Sequence, residues 1–262
     1  MDLGLAGRRA VVTGGSKGIG LAVARELAAE GAAVGICART LDELTASAEA
    51  ITAAVPGATV WHRVADVTDP RQVEDFISGA AEALGGLDIL VNNAGGAHPG
   101  NFEALTDDDW HADLDTKLFS QIRCFRAALP FLRASEAARV INVNAVYAKY
   151  PDPAFFATTV NRAACLNLNK ALALEFGSEQ ILVNSVNIGF VVTPQWENIR
   201  ARRAPDSSPE EFQAALAAAE VAQGRFGTVD EVSGLVAFLA GARSSYITGA
   251  VIDVAGGMGK YV

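Results

Sequence analysis

The segment Thr13-Gly14-Gly15-Ser16-Lys17-Gly18-Ile19-Gly20 decides the fold. It stands between an apolar stretch that predicts a strand, Arg9–Thr13, and an Ala-rich stretch that predicts a helix, Ile19–Glu30. Glycines permit a tight turn and let backbone N–H groups come close to a ligand, and the positive end of the following helix dipole favours an anion. In this context the glycine loop predicts a site for the pyrophosphate of a dinucleotide.

The alternation of strand and helix continues along the whole chain. Further strands are predicted at residues 33–38, 59–64, 88–91, 140–143, 181–186 and 250–254, and further helices at 41–54, 70–85, 107–133, 156–176 and 230–239. Strands that are separated by single helices require crossover connections, and the strand segments lack polar alternation, as strands covered on both faces do. We therefore expect one α/β domain over residues 1–262, a Rossmann fold with a doubly wound, seven-stranded parallel sheet and helices on both faces.

One segment interrupts this alternation. Residues 195–225 are charged and helix-prone, with Pro and Ser breaks, and they follow the sixth predicted strand. An excursion at the carboxyl edge of a parallel sheet predicts a lid over a substrate. The alternative interpretation is a pair of surface helices.

Composition excludes several classes of function. The 262 residues include 21 Lys+Arg and 30 Asp+Glu, for a net charge of −9, and this acidic balance argues against nucleic-acid binding. The absence of an 18-residue apolar run and of a signal-like N-terminus predicts no membrane span and no secretion. Three cysteines without a CxxC motif indicate reduced thiols in a cytoplasmic protein, and no residue cluster has metal-ligand spacing.

Charges near the glycine loop predict which dinucleotide binds. The second predicted strand ends at Arg39, where an NAD-specific site would have a carboxylate for the ribose 2′-OH. Arg39 and Lys17 could converge on a 2′-phosphate, which favours NADP(H); alternatively, Arg39 only solvates a helix start. Asp66-Val67 follows the third strand, where the carboxylate could accept a hydrogen bond from the adenine amino group or cap the next helix.

Four motifs together resemble the short-chain dehydrogenase/reductase superfamily. They are the glycine loop, Asp66-Val67, Asn92-Asn93-Ala94-Gly95 and residues 247–257, and the similarity runs from about residue 6 to 258. The resemblance implies that the Asn-Asn-Ala-Gly loop lines the adenosine side of the cofactor. It also implies that residues 184–194 contact the nicotinamide carboxamide, although Ile188 replaces the usual Pro. The cofactor-binding residues are thus expected to be Gly14, Ser16, Lys17, Gly18, Ile19, Gly20, Arg39, Asp66, Val67, Asn93, Ala94, Gly95, Arg162, Ile188, Val191 and Thr193.

The catalytic positions of the family are substituted in this chain. The family uses a Tyr as general acid and base, a Lys four residues later, a Ser about thirteen residues earlier and an Asn in the preceding long helix. Here these positions are Thr158, Arg162, Ala145 and Lys117. No other frame restores the pattern, because none of the four tyrosines has a Lys four residues later.

The substitutions change the expected chemistry. The aliphatic hydroxyl of Thr158 is a far weaker acid than a phenol, and Arg162 is a fixed charge that can hold ribose hydroxyls, since an Arg pKa is above about 12. The remaining candidate proton donors are Lys117, with a pKa that Arg162 could depress, and Tyr147, beyond the fifth strand. Asn144 could add a polar hydrogen bond. Each has a structural alternative: Tyr147 as cleft wall, Lys117 as a member of an ion pair between helices, and Asn144 as a partner of backbone groups.

A histidine and several aromatic residues complete the candidate site. His98 follows the Asn-Asn-Ala-Gly loop, where substrates would enter. The aromatic residues expected around the cleft favour an apolar or aromatic carbonyl substrate; they are Phe155, Phe156, Phe190 and Trp196.

The sequence therefore predicts an NADPH-dependent oxidoreductase of the carbonyl or ketone reductase type with an atypical active site. The alternatives are a lyase or isomerase on the same fold, or an inactive nucleotide-binding protein. In the family, two long helices pair with a second subunit. The corresponding helices here, 107–133 and 156–176, are Ala- and Leu-rich, which predicts a homodimer or homotetramer.

Overall fold

The computed structural model describes residues 2–259. Within them, seven strands pair in parallel in the order β3-β2-β1-β4-β5-β6-β7. The strands are β1 (Arg9–Thr13), β2 (Ala33–Ala38), β3 (Val60–Val64), β4 (Ile89–Asn92), β5 (Arg139–Ala145), β6 (Leu182–Ile188) and β7 (Val251–Val254). The predicted doubly wound parallel sheet is confirmed.

Helices cover both faces of the sheet. They are α1 (Gly18–Ala29), α2 (Leu41–Ala54), α3 (Pro70–Leu84), α4 (Asp107–Leu114), α5 (Ser120–Arg133), α6 (Phe156–Phe176), α7 (Gln195–Arg203), α8 (Pro209–Glu220) and α9 (Val229–Ala240). Val12 of β1 belongs to the core with α1, α2 and α9, whereas its neighbour Val11 belongs to the core with α3, α5 and α6. Because successive strand residues bury opposite faces, the strand sequences are apolar throughout.

Two differences from the predicted elements concern the site. The helix expected over 107–133 is interrupted by a π-helical turn, Asp115–Phe119, which contains Lys117. Strands β5 and β6 extend two residues beyond their predicted ends, to the pair Ala145–Ile188. A π-helical turn needs an i→i+5 hydrogen bond, for which the apolar periodicity used in the prediction gives no signal.

Strand order places the candidate site. β1 lies between β2 and β4, so the chain winds outward in both directions from this point of the sheet. In open parallel sheets, ligands bind in the crevice outside the carboxyl ends of the strands at such a switch point. The glycine loop after β1 and the Asn-Asn-Ala-Gly loop after β4 meet at this crevice.

Candidate active site

A cleft of about 780 Å³ opens at the carboxyl edge of the sheet. It is lined by every residue that the sequence predicted for cofactor binding except Gly20. Gly20 lies in the first turn of α1, where a Cβ would clash with the carbonyl oxygen of Gly14. Gly14 has a φ of +66°, and a Cβ there would lie 3.0 Å from Cα of Ala94. Gly20 therefore serves the close packing of the loop, and Gly14 serves its turn.

Hydrogen bonds fix the two loops to each other. Thr13 Oγ1 accepts from the backbone N–H groups of Asn93 and Ala94, both at 3.0 Å. The amide of Asn93 donates to the carbonyl oxygens of Thr13 at 2.9 Å and Gly14 at 3.1 Å. The Asn93 side chain thus holds the glycine loop in place, a role that the sequence did not distinguish from contact with the cofactor.

The predicted 2′-phosphate residues lie at the mouth of the cleft. Arg39 is exposed and has no ion pair within residues 2–259. Lys17 Nζ lies 3.2 Å from a carboxylate oxygen of Glu43, which also lines the cleft. Asp66 accepts from the backbone and hydroxyl of Thr68, whereas Asp69 caps α3. Asp69, not Asp66, is therefore the capping residue of α3. Glu43 is a neighbour of Lys17 that the sequence analysis missed.

Lys117 lies at the floor of the cleft, 2% exposed and in an ion pair with Asp113. Burial and the nearby charge of Arg162 lower the pKa of Lys117 to about 8, and Asp113 opposes part of this shift. An amine with a pKa near neutrality can both give and take a proton under physiological conditions. The structure therefore places a titratable cation at the floor of the cleft.

Asp113 is a site residue that the sequence analysis missed. It is 3% exposed, lines the cleft and accepts hydrogen bonds from Thr158 Oγ1 at 3.2 Å and Asn161 Nδ2 at 2.8 Å. The signal available in the sequence was its spacing, because Asp113 precedes Lys117 by four residues and side chains at i and i+4 face each other on a helix.

Arg162 shows that the cleft fits a dinucleotide. Its Nη1 donates to the carbonyl oxygen of Val143 at 2.9 Å, but its Nε is buried without a hydrogen-bond partner in the described part of the chain. A buried donor left unpaired is costly, and ribose hydroxyls are suitable acceptors. A Cβ on Gly95 would lie 3.1 Å from Arg162 Nη2, so the loop leaves this guanidinium the space it needs.

Tyr147 and Asn144 differ in their access to the cleft. Tyr147 lines it, with its ring stacked on Phe155 at a centroid distance of 5.7 Å. Burial and the neighbouring carboxylate of Asp152 raise the pKa of the Tyr147 phenol. Asn144 does not line the cleft: its amide donates to the carbonyl oxygen of Arg162 and accepts from the backbone of Ala145. The structure thus places Asn144 in its alternative role, as a partner of backbone groups.

The histidine and the aromatic residues predicted around the site also differ in whether they line the cleft. His98 lines the cleft, and its Nε2 lies 3.1 Å from Asp109, which belongs to the capping box of α4. Phe155, Phe190 and Trp196 line the cleft, as expected. Phe156 does not; its ring packs against Phe102 and Trp110 instead, because adjacent residues at a helix start point in different directions.

The described residues show neither a membrane-spanning helix nor a metal cluster. Across residues 2–259, no helix has the length and hydropathy needed to cross a membrane. The same residues contain no group of three or more His, Cys, Asp or Glu side chains suited to a metal ion.

Comparisons with known proteins agree with this geometry. The family model described as enoyl-(acyl carrier protein) reductase matches residues 14–259. The chain is 31% identical to the 3-oxoacyl-[acyl-carrier-protein] reductase FabG of Thermotoga maritima, over 97% of this chain and 98% of that protein.

Two solved structures are also similar along their whole length. L-sorbose reductase from Gluconobacter frateurii, complexed with NADPH and L-sorbose, has 30% identity, full coverage of both chains and a TM-score of 0.96. An NADPH-bound short chain oxidoreductase from Pseudomonas aeruginosa PAO1, described as containing an atypical catalytic center, has 39% identity, 97% coverage of both chains and a TM-score of 0.90. The chain therefore belongs to the short-chain dehydrogenase/reductase superfamily.

Proposed function

We propose that this protein reduces a carbonyl compound with NADPH and that Lys117, rather than a tyrosine, donates the proton. The protein is an NADP(H)-dependent oxidoreductase of its family and acts on a small molecule. The observation that carries the atypical donor is the buried Lys117 at the floor of the cleft, with its pKa lowered to about 8.

The reaction requires a hydride and a proton at opposite ends of the carbonyl bond. When bound, NADPH supplies the hydride to the carbonyl carbon. The substrate oxygen then takes a proton from the Lys117 ammonium, which becomes a neutral amine and is reprotonated from solvent. Arg162 holds the ribose and keeps the local potential positive, which favours the developing alkoxide. Ala145 has no hydroxyl to donate to the substrate oxygen, and Lys117 adds a second cation beside Arg162 at the position where the family pattern has a neutral Asn.

Of the two candidate donors, Lys117 is favoured over Tyr147. Protonated Lys117 is an acid matched to neutral pH, whereas burial makes the Tyr147 phenol a weaker acid than a free tyrosine. The ring of Tyr147 stacks on Phe155, as a wall of the cleft would. Thr158 turns its hydroxyl to Asp113 and acts as a support for that carboxylate.

The substrate is proposed to be an apolar or aromatic carbonyl compound. The substrate side of the cleft is walled by Tyr147, Phe155, Phe190, Trp196 and Met258. Covering apolar surface of this kind with an apolar ligand lowers the free energy of the complex. The same surface offers few hydrogen bonds to a polyol.

Residues 195–225 are proposed to act as a lid. Four residues at the start of α7 line the cleft: Gln195, Trp196, Asn198 and Ile199. The guanidinium of Arg203 in α7 lies 5.9 Å from the ring centre of Phe155, which also lines the cleft. Hydrogen exchange should therefore slow in α7 and α8 when NADP⁺ and an alcohol product bind together. Unchanged exchange would favour the alternative of a surface helix pair.

A homodimer or homotetramer is proposed from the outer face of α6. Val160 is 48% exposed and Leu174 is 74% exposed, about four helical turns apart on one face. Apolar residues aligned in this way are typical of a helix that packs against another subunit. Light scattering at micromolar concentration should give a dimer or tetramer, and Leu174→Arg should shift the mass toward the monomer. A monomeric wild-type protein would contradict this proposal.

A cytoplasmic location is proposed from the cysteines. Cys37, Cys124 and Cys165 are buried and form no disulfide, which is typical of proteins from a reducing compartment.

The central test is NADPH consumption with a panel of ketones, aromatic aldehydes and enones. We expect turnover with at least one apolar carbonyl compound and an alcohol product identified by mass. NADPH binding without any turnover would instead indicate a nucleotide-binding protein. Conversion of a substrate without net consumption of NADPH would indicate a lyase or isomerase.

A further inference from the structure

Asp113 accepts hydrogen bonds from three side chains at the floor of the cleft. They are Lys117 on the π-helical turn, and Thr158 and Asn161 on α6. Oδ1 receives Lys117 and Thr158, and Oδ2 receives Asn161. The side chains of Asp113 and Lys117 are 0% and 2% exposed, so neither charge is compensated by water.

The buried ion pair of Asp113 and Lys117 is stable only if hydrogen bonds offset the cost of removing both charges from water. Removal of a carboxylate and an ammonium from water costs several kcal/mol per ion in general, and the pair recovers this only with good geometry and further hydrogen bonds. Thr158 and Asn161 supply those hydrogen bonds to Asp113. An apolar pair of the same volume would cost less, which indicates that the charges serve more than packing.

Three ionisable groups face Lys117. Asp113 lies one turn earlier on the same helical path, and Arg162 and Cys165 face it from α6. Burial raises the pKa of the Cys165 thiol, so this group is neutral at neutral pH. Burial and Arg162 both favour the neutral amine of Lys117, and Asp113 is the strongest group acting in the opposite direction. Without Asp113, the pKa of Lys117 would be lower still, and less of Lys117 would be protonated near pH 7.

We propose that Asp113 is a positioning residue for the reduction, which keeps Lys117 protonated and holds its ammonium group beside residue 158, where the family has its tyrosine. This inference rests on the proposed function, because it assigns Asp113 through Lys117. Asp113 itself does not transfer the proton, which passes from Lys117 Nζ to the substrate oxygen.

A purely structural role would have a different signature. The hydrogen bond from Asn161 to Asp113 also joins α4 to α6. If that were its only role, loss of the carboxylate would lower stability without changing the titration of Lys117.

The test compares Asp113→Asn with the matched control Asp115→Asn. Asp115 lies two residues away and pairs with Arg123 at 2.6 Å, outside the cleft. The readout is the ¹³C chemical shift of Lys117 Cε across pH in lysine-labelled protein, with and without NADP⁺, assigned by its loss in Lys117→Gln. The second readout is the pH dependence of kcat for reduction.

In the wild type and in Asp115→Asn, we expect Lys117 to titrate near pH 8. In Asp113→Asn, the titration and the alkaline limb of kcat should both move down by about one pH unit or more, because Lys117 loses its counter-ion. An unmoved titration in a variant that still reduces carbonyls overturns the assignment to Asp113 and leaves the proposed function intact. A moved titration in Asp113→Asn, with no carbonyl reduction by the wild type or by Asp115→Asn, overturns the proposed function instead.

A second variant covers the case in which Asp113→Asn does not fold. Asp113→Glu keeps the negative charge but lengthens the side chain by one methylene, which displaces the ammonium group of Lys117. We expect its alkaline limb to stay near that of the wild type while kcat falls about 10- to 100-fold, with KM for NADPH little changed. Full kcat in Asp113→Glu would show that placement by Asp113 is not needed.

Discussion

The nucleotide-binding half of the sheet and the catalytic side of the cleft differ in how closely their residues match the family pattern. From β1 to β4 the glycine loop, Asp66 and the Asn-Asn-Ala-Gly loop match the family pattern, and most of their residues line the cleft. On β5, α6 and the π-helical turn lie the four residues that the sequence analysis places at the family's catalytic positions, and all four depart from the family pattern. A pyrophosphate is bound by backbone N–H groups, which come close enough only where glycine leaves out the Cβ. Few loop sequences can therefore form this site. A proton donor needs only a titratable group near one atom, and different elements can supply it.

The largest expected effect tests the catalytic side alone. Lys117→Gln removes the titratable amine but keeps an N–H donor for Asp113, so the reduction rate should fall about 10²- to 10⁴-fold. NADPH affinity should change little, because Lys117 is not among the residues expected to bind the cofactor. Single-turnover rates and cofactor titrations measure the two quantities separately.

Two further variants serve as controls for Lys117. Lys170→Met changes an exposed lysine of α6 and should leave the rate unaltered. Tyr147→Phe should lower the rate by less than about tenfold, since its phenol is the weaker acid. Full activity in Lys117→Gln together with a large loss in Tyr147→Phe would assign the proton to Tyr147.

The next effect tests the nucleotide half. Arg39→Asp should weaken the preference for NADPH over NADH by about 1.5–3 kcal/mol, because one charge-assisted contact to the 2′-phosphate is replaced by repulsion. Titration of both cofactors gives this difference, and Arg243→Asp, on an exposed turn, should leave it unchanged. Equal affinities of the wild type for the two cofactors would contradict the assignment of Arg39 and Lys17.

The pH dependence separates the two candidate donors. Lys117 donates only when protonated, so reduction should fall about tenfold per pH unit above a pKa of about 8. Oxidation of the alcohol needs the neutral amine and should rise through the same pH. Because the pKa of Tyr147 is raised, donation by Tyr147 would keep reduction constant well above pH 8. Initial rates in both directions across pH decide between them.

The smallest expected effect concerns Glu43. This carboxylate lies 3.2 Å from Lys17 and competes with the 2′-phosphate for it. Both side chains are about half exposed, so the ion pair is worth about 0.2–1 kcal/mol. Glu43→Gln should therefore tighten NADPH binding by up to about fivefold without changing NADH binding. Glu49→Gln, exposed on the same helix, is the matched control, and an equal gain for both cofactors would point to a general charge effect.

The sequence by itself determined the fold, the family and the cofactor. Apolar strand segments, helix signals and the glycine loop are local patterns, and local patterns predict parallel crossovers and a pyrophosphate turn without knowledge of distant contacts. The resemblance to the family predicts, in addition, that its four catalytic positions are substituted here, because the flanking motifs fix their place along the chain.

Only the tertiary structure decided which side chains meet. Asp113, Thr158 and Asn161 converge because α4 packs on α6, and Lys17 meets Glu43 because α2 begins beside the glycine loop. In the structure, Asn144 forms hydrogen bonds with backbone groups, and the ring of Phe156 packs outside the cleft. The pKa of Lys117 likewise depends on burial and on Arg162, 45 residues along the chain. Burial and charge proximity depend on three-dimensional distance, which spacing along a sequence does not contain.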